Sequence, residues 1–192
     1  MANPNNTYGE FSEYNIKRMM IKLSDDEKFN EVIAAGKYEE ELEVKTIKKQ
    51  YKGVDAKQRT KGAGTGKITP SGHIDYKTYK KIHGMDQEGL ATGIYGYGQN
   101  SRHKEFAATM EVEDEDGFIK LKAYPRCMVT SNPKKSVENE SETVSTEDLE
   151  IALMPDEHGQ CVYECLKDEV AEDIQTKWME NFSYELIKVK EL

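Results

Sequence analysis

Residue types that suit metal binding stand close together near the C-terminal end of the sequence. His158, Cys161 and Cys165 follow an H-x2-C-x3-C spacing, and imidazole and thiolate are ligands that zinc prefers. A structural zinc site needs four ligands, however, and the only other cysteine is Cys127. An odd number of cysteines also argues against a disulfide framework. We therefore predict no metal site and expect three reduced thiols that are buried or half-buried.

A glycine-rich segment, residues 62–67 (Gly-Ala-Gly-Thr-Gly-Lys), invites comparison with a phosphate-binding loop. That motif separates its first glycine from the Gly-Lys pair by four residues and ends on a serine or threonine. Lys61 and Ile68 occupy these two positions here, and Pro70 and Gly72 interrupt the helix that should follow. We therefore predict a flexible loop rather than a nucleotide site.

Two remaining candidates for chemistry also fail on spacing and context. The acidic run 113–116 is followed by Phe118 and Ile119, where a calcium loop needs oxygen ligands. No nucleophile elbow is present, and the four histidines lie beside glycine or charged residues. The sequence accordingly predicts no catalytic residue, no cofactor and no enzymatic activity.

The charge of the chain is distributed unevenly. Among 192 residues, 27 Lys+Arg and 36 Asp+Glu give a formal net charge of −9. Residues 45–67 contain eight basic residues and one acid, whereas residues 137–192 contain 16 acids and four basic residues. Opposite charges in two segments of one chain suit self-association. The net negative charge disfavours binding to a nucleic-acid backbone.

Hydropathy indicates where the protein works. The mean hydropathy is −0.82, and no apolar run approaches the ~18 residues that are needed to span a bilayer. The N-terminal residues lack the basic start and apolar stretch of a signal peptide. We therefore expect no membrane association and a location in a cytoplasm or in a particle assembled there.

Alternating apolar residues predict a mainly β fold. Residues 106–112 and 119–123 alternate on either side of an acidic turn at 113–117, which predicts a β-hairpin with an exposed tip. Spaced strands with turn signals between them favour a β-sandwich of two facing sheets, in a single domain over residues 1–192. Further strands are predicted at 41–48, 67–76, 148–153, 160–166 and 183–190.

Helical periodicity marks two segments, 75–83 and 169–182. The second carries an apolar stripe at successive i+4 steps that ends at Trp178 and Phe182. Three regions flank or interrupt the sandwich: an N-terminal arm region at 1–40, a basic exposed loop at 48–66, and a C-terminal helix and strand at 169–192. The predicted core residues are Phe106, Met110, Val112, Leu121, Leu149, Ile151, Leu153, Trp178 and Phe182.

The order of these segments along the chain is similar to that in a known protein family. A Gly/Tyr-rich passage at 93–98 precedes the strand and hairpin that begin at Phe106, and a Glu-rich stretch at 138–142 precedes the closing strand at 149–155. In this layout, residues 62–166 resemble the major tail (tail tube) proteins of long-tailed, non-contractile phages (siphophages) of Gram-positive bacteria. The layout, rather than any fixed residue, carries the resemblance.

The resemblance implies a β-sandwich with one or two flanking helices, hexameric rings formed by sheet pairing between subunits, and stacking of the rings into a tail tube. Genome DNA would pass through the lumen without specific binding. The implied partners are other copies of the chain, the tape measure protein, the tail terminator and the distal tail protein, in a virion tail assembled in the host cytoplasm. The long region before residue 41 and the basic segment 45–67 depart from the family pattern.

Other classes of protein remain open at this stage. One is another β-sandwich component of a phage particle, such as a tail terminator, a decoration protein or the tube of a tail-like bacteriocin. Another is a bacterial β-sandwich module that binds carbohydrate or protein. In stacked rings, we expect the basic loop to dock on an acidic surface of the adjacent ring. The residues expected to make this inter-ring contact are Lys48, Lys49, Lys52, Lys57, Arg59 and Lys61.

Overall fold

The computed structural model describes residues 11–52, 54–137, 139 and 146–189. Its strands are β1 (Asn15–Leu23), β2 (Asn30–Tyr51), β3 (Val54–Ile74), β4 (Glu105–Glu113), β5 (Ile119–Val129), β6 (Glu147–Asp148), β7 (Ile151–Met154) and β8 (Tyr163–Leu166). Its helices are α1 (Tyr76–Ile82), α2 (Glu172–Asn181) and α3 (Tyr184–Ile187), with a 3₁₀ turn at Lys167–Glu169. The prediction of a mainly β fold is confirmed. Among the described residues, no helix is long and apolar enough to cross a membrane.

The eight strands form one antiparallel sheet that closes on itself. The pairings run from β2 through β1, β4, β5 and β7 to β3, and β3 pairs again with β2. The short β6 extends the sheet beside β3, and β8 pairs with the first half of β5. Closure makes opposite walls of the sheet face each other across a common core, as the two layers of a sandwich do.

The interior of this closed sheet holds the larger hydrophobic core. Every second residue of a strand points inward, so β1 contributes Met19, Ile21 and Leu23, each 3% exposed or less. Helix α1 adds the buried Tyr79 and Ile82 to the same cluster. Six of the predicted core residues lie here: Phe106, Met110, Val112, Leu149, Ile151 and Leu153.

A second, smaller core lies on the outer face of β5. Leu121 and Ala123 of β5 pack there against Trp178 and Met179 of α2. The indole Nε1 of Trp178 donates a hydrogen bond to the backbone oxygen of Lys122 at 3.1 Å, so the helix is fixed by a polar contact as well as by burial. Phe182, also predicted as core, is half-buried at the edge of this cluster.

Local signals in the sequence explain the boundaries of α1. Asp75 is the N-cap, and its carboxylate accepts a hydrogen bond from the backbone N–H of Thr78 at 2.9 Å. The helix ends before Gly84, which has φ +62°. A Cβ at this position would lie 2.0 Å from the backbone oxygen of Arg102, so no other residue fits. The predicted helix at 75–83 is thus observed at 76–82.

The predicted β4–β5 hairpin is present, with its turn at residues 114–118. Residues 115–117 are exposed, as expected for a tip. The side chain of Asp114 is instead buried, because its Oδ1 accepts hydrogen bonds from the backbone N–H groups of Asp116 at 3.0 Å and Phe118 at 2.7 Å. Asp114 of the acidic run therefore stabilises the turn, whereas Glu115 and Asp116 are exposed at its tip.

The predicted arm over residues 1–40 is wrong from residue 15 onward. Residues 15–23 and 30–40 belong to β1 and β2, and β1 pairs with β4 along its whole length. The alternation of Met19, Ile21 and Leu23 is short and flanked by polar residues, so only pairing with neighbouring strands reveals it as core. Residues 1–10 lie outside the described part of the chain.

Two further expectations from the sequence are corrected. The basic loop at 48–66 is not a loop, because its residues belong to β2 and β3 and pair with each other. The predicted last strand at 183–190 is instead the short helix α3, whose Ile187 packs against the second core. A strand needs a neighbour for its backbone hydrogen bonds, whereas α3 forms them within itself. Residue 190 is not described.

Candidate assembly surface

The longest strand pair of the molecule extends beyond the closed sheet. β2 and β3 pair from Ile33 opposite Ile74 to Tyr51 opposite Val54. β7 adds to β3 only at residues 66–68, at the level where the sheet is still closed. Beyond that level the two strands continue alone as a two-stranded ribbon, which we define as residues 44–51 and 54–62. The rest of the chain is called the body.

A bulge separates the ribbon from the body. Leu42 lies opposite Gly66 and Val44 lies opposite Gly62, so three residues of β3 face the single residue Glu43 of β2. Gly64, in the middle of this bulge, has φ +79°, and a Cβ there would lie 3.0 Å from the backbone oxygen of Gly159. The glycines of this segment therefore serve a bend at the base of the ribbon rather than a flexible loop.

Strand pairing divides the ribbon into two chemically different faces, because residues directly opposite each other point to the same side. One face, the basic face, carries the pairs Lys45–Lys61, Ile47–Arg59 and Lys49–Lys57. The opposite face carries the pairs Val44–Gly62, Thr46–Thr60 and Lys48–Gln58. In these three pairs, five cations share one side of the ribbon with a single aliphatic residue, Ile47.

The basic face is exposed to solvent. Each of its six residues is exposed, with 56% of Ile47 accessible. None of its five cations forms an ion pair with a described residue. Two lysine pairs, Lys45–Lys61 and Lys49–Lys57, also bring like charges directly opposite each other, which is mildly destabilising in a sheet. Nothing in the described body therefore compensates the charge of this face.

The six residues predicted to make the inter-ring contact do not all lie together. Lys49, Lys57, Arg59 and Lys61 share the basic face, whereas Lys48 lies on the opposite face. Lys52 lies at the turn with φ 51°, and its ammonium is 5.7 Å from the centre of the Tyr51 ring. Lys45 belongs to the basic face but was not in the predicted set. The predicted strand at 41–48 includes Lys45 and Ile47, but only the continuation of β2 through Lys49 and its pairing with β3 bring Lys45 onto one face with Lys57, Arg59 and Lys61.

The ribbon and the body have opposite charges. Residues 44–62 contain seven cations and one acid, a net charge of +6 within a chain of −9, which leaves −15 on the remaining residues. Many of the acids of the body are exposed. Four of them lie within six residues at the start of α2 and just before it: Asp168, Glu169, Glu172 and Asp173.

A buried polar cluster lies within the body, close to where the ribbon begins. Lys122 is 3% exposed, and its Nζ lies 2.9 Å from the carboxylate of Glu13 and 3.0 Å from the hydroxyl of Tyr38. It also pairs with Glu40. Burial by itself would lower the pKa of Lys122, but hydrogen bonds to Glu40, Tyr38 and Glu13 outweigh it and raise the pKa. No sequence signal pointed to this cluster.

The residues considered for zinc are separated by the fold. Cys161 belongs to the core inside the sheet, whereas Cys165 packs against the second core on the other side. His158 stacks on Tyr184 with ring centres 3.5 Å apart. Burial raises the pKa of Cys127 and raises the pKa of Cys165 to about 11, so both thiols stay protonated near neutral pH. Within the described ranges, no three His, Cys, Asp or Glu side chains are grouped to hold a metal ion.

The glycine-rich segment considered for phosphate binding lies in strand β3 and includes the bulge at the base of the ribbon. Residues 62–67 lie in β3, with Gly66 and Lys67 paired both to β2 and to β7. The Lys67 ammonium forms an ion pair with Glu41 at 2.9 Å. Strand pairing on both sides engages Gly66 and Lys67 in the sheet, whereas a phosphate-binding loop needs free backbone N–H groups around the phosphate. Its glycines instead permit the bulge and close strand packing.

Comparison with known proteins gives little. No protein-family model matches the chain, and no curated protein matches it. Among solved structures, one similar chain is described as a cryo-EM structure of the anti-feeding prophage cap, a tube terminating cap. It is 12% identical, with 85% of this chain and 99% of that chain covered and a TM-score of 0.48. Similarity of this extent assigns neither a family nor a function to the chain.

Proposed function

We propose that this chain is a structural subunit of a phage-type tail, which forms hexameric rings with copies of itself that stack into a tube. The observation that carries the proposal is the ribbon, a basic two-stranded extension that projects from an acidic body. Head-to-tail stacking requires one patch of a subunit to match a different patch of the next. Opposite charges on two separate parts of one chain meet that requirement. The sequence resemblance to tail tube proteins supports the same role.

The charge of the body also suits a conduit for DNA. With the ribbon engaged between subunits, the remaining surface is strongly acidic. An acidic lumen wall repels the phosphate backbone and lets a duplex slide without sticking. The role is structural and needs neither a catalytic residue nor a cofactor. The other proposed partners are the proteins that begin and end a tail tube.

Electron microscopy of the purified chain tests this proposal. Negative-stain images and sedimentation over a range of protein concentrations should show rings and, at higher concentration, tubes. A monomer at every concentration would overturn self-assembly and favour a binding module. Single rings that never stack would overturn the tube and favour a tail terminator.

Charge reversal tests whether the ribbon contributes to the stacking of rings. Changing Lys48, Lys49, Lys52, Lys57, Arg59 and Lys61 to Glu should leave the circular dichroism spectrum unchanged but shorten or abolish tubes. Two exposed body lysines, Lys28 and Lys177, changed to Glu provide the control and should leave tubes intact. Tubes of normal length from the ribbon variant would show that stacking depends on another segment.

A further inference from the structure

We infer that the basic face of the ribbon binds the acidic body of a second copy of this chain, and that the opposite face of the ribbon does not. This inference rests on the proposed self-assembly and names the contact surface and its partner. The basic face is defined by Lys45, Ile47, Lys49, Lys57, Arg59 and Lys61.

The arrangement of charge on this face points to an anionic partner. Five cations share the face, and two lysine pairs place like charges directly across the strands. Folding of a single chain gains nothing from such pairs, and no acid of the described body neutralises them. An anionic surface laid on this face would remove the repulsion and convert it into attraction. The opposite face, with Thr46 hydrogen-bonded to Thr60 at 3.1 Å, carries no comparable charge.

The partner favoured by charge is another copy of this chain. Residues 44–51 and 57–62 of the ribbon are all exposed, so these parts of the ribbon do not dock on their own body. The residues outside 44–62 carry a net charge of −15 and include exposed acids, among them the four at residues 168–173. A nucleic acid would have to approach that same acidic body, and the ribbon contains a single aromatic residue, Tyr51, where single-strand binding uses a series of them.

Ile47 is an exposed apolar residue at the centre of the basic face. Ile47 lies between the two lysine pairs on the basic face and is 56% exposed. Interfaces between proteins commonly bury an apolar centre within a polar rim. Burial of Ile47 would contribute affinity, while the surrounding cations set the orientation and exclude uncharged partners.

Two variants with the same change in charge separate the faces. In the first, Lys49→Gln, Arg59→Gln and Lys61→Gln remove three positive charges from the basic face. In the second, Val44→Glu, Gln58→Glu and Thr60→Glu add three negative charges to the opposite face. Both variants become more negative by three charges, so any difference between them reports the face and not the net charge. Circular dichroism checks that both are folded.

Self-assembly is then measured by sedimentation and electron microscopy at low and high salt. The basic-face variant should need about tenfold more protein for half-maximal assembly, from the loss of several weak ion pairs. The opposite-face variant should assemble like the unmodified chain. High salt should weaken assembly of the unmodified chain more than that of the basic-face variant.

Each alternative result has a distinct meaning. If the unmodified chain does not assemble, the proposed function itself fails. If it assembles and the two variants lose assembly equally or not at all, the proposed function stands and the assignment of the basic face is overturned. Binding of a short fluorescent DNA duplex is measured as the last part of the experiment. Binding of the duplex by the unmodified chain, lost only in the basic-face variant, would overturn the second copy as the partner.

Discussion

The ammonium of Lys122 lies 2.9 Å from the carboxylate of Glu13; the Lys122 side chain is buried, whereas the Glu13 side chain stays partly exposed. Glu13 precedes β1, and Lys122 lies in the first half of β5, so this contact ties the segment before β1 to the sheet. Glu40, the second carboxylate on Lys122, lies only two residues before the end of the closed part of β2. The contact therefore stiffens the part of the body from which the ribbon extends.

Removal of Lys122 should be destabilising. Lys122→Met leaves the half-buried carboxylate of Glu40 and the partly exposed carboxylate of Glu13 without their shared cation, and loss of a hydrogen-bond partner of a largely buried group costs about 1–3 kcal/mol. Urea unfolding followed by circular dichroism measures the loss. Lys37→Met, which breaks an exposed ion pair with Glu39, is the matched control and should leave the midpoint unchanged. Equal midpoints for the two variants would contradict a structural role for the cluster.

Stability should fall in mildly acidic solution because of His83. This imidazole is fully buried, its Nδ1 bonds to the backbone oxygen of Tyr79 at 2.8 Å, and its Nε2 has no partner among the described residues. Burial lowers the pKa of His83 in the folded state. The unfolded chain protonates it near its ordinary pKa of about 6.5, so below that pH the unfolded state binds more protons and gains relative stability.

Thermal unfolding between about pH 7.5 and pH 5.5 measures this effect. The midpoint of the unmodified chain should decline across the interval, whereas His83→Asn, which keeps a donor toward Tyr79 but does not titrate, should show a flatter profile. His73→Asn, at an exposed position, is the control and should follow the unmodified chain. A decline of the same slope in all three proteins would assign the pH dependence to other groups.

The bulge at the base of the ribbon should require glycine at position 64. Gly64→Ala places a Cβ at φ +79° and 3.0 Å from the backbone oxygen of Gly159, so we expect a loss of about 1–2 kcal/mol. Gly62→Ala is the matched control, because no atom lies within 4 Å of its added Cβ and its φ is not positive. Chemical denaturation should separate the two variants. Tolerance of alanine at both positions would mean that the bulge can rearrange freely.

The turn between β4 and β5 should depend on Asp114. Asp114→Ala removes the acceptor for the N–H groups of Asp116 and Phe118, so their amide exchange should accelerate. Exchange at the centres of β4 and β5 should stay slow. Glu115→Ala, at an exposed position of the same turn, should change neither. Hydrogen–deuterium exchange resolved by NMR makes the comparison, and unchanged exchange at 116 and 118 in the Asp114 variant would contradict it.

The sequence by itself determined the elements whose signals are local. Alternation on both sides of an Asp-Gly turn is enough to predict the β4–β5 hairpin, because side-chain period and turn chemistry are properties of adjacent residues. Asp75 and Gly84 likewise fix the ends of α1 through a cap and a positive φ. The apolar stripe that ends at Trp178 identifies the face of α2 that packs on the sheet.

Only the tertiary structure decided the features that depend on distant partners. β1 is a core strand because β4 and β2 pair with it, and its short apolar alternation did not reveal this. The segment 48–66 is a strand pair and not a loop because its two halves satisfy each other's backbone groups, which outweighs the local preference of glycine and lysine for irregular structure. The register of this pairing places Lys45 opposite Lys61 on the basic face and places Lys48 on the opposite face of the ribbon. The cluster around Lys122 joins residues from position 13 to position 122, and no local pattern encodes such a contact.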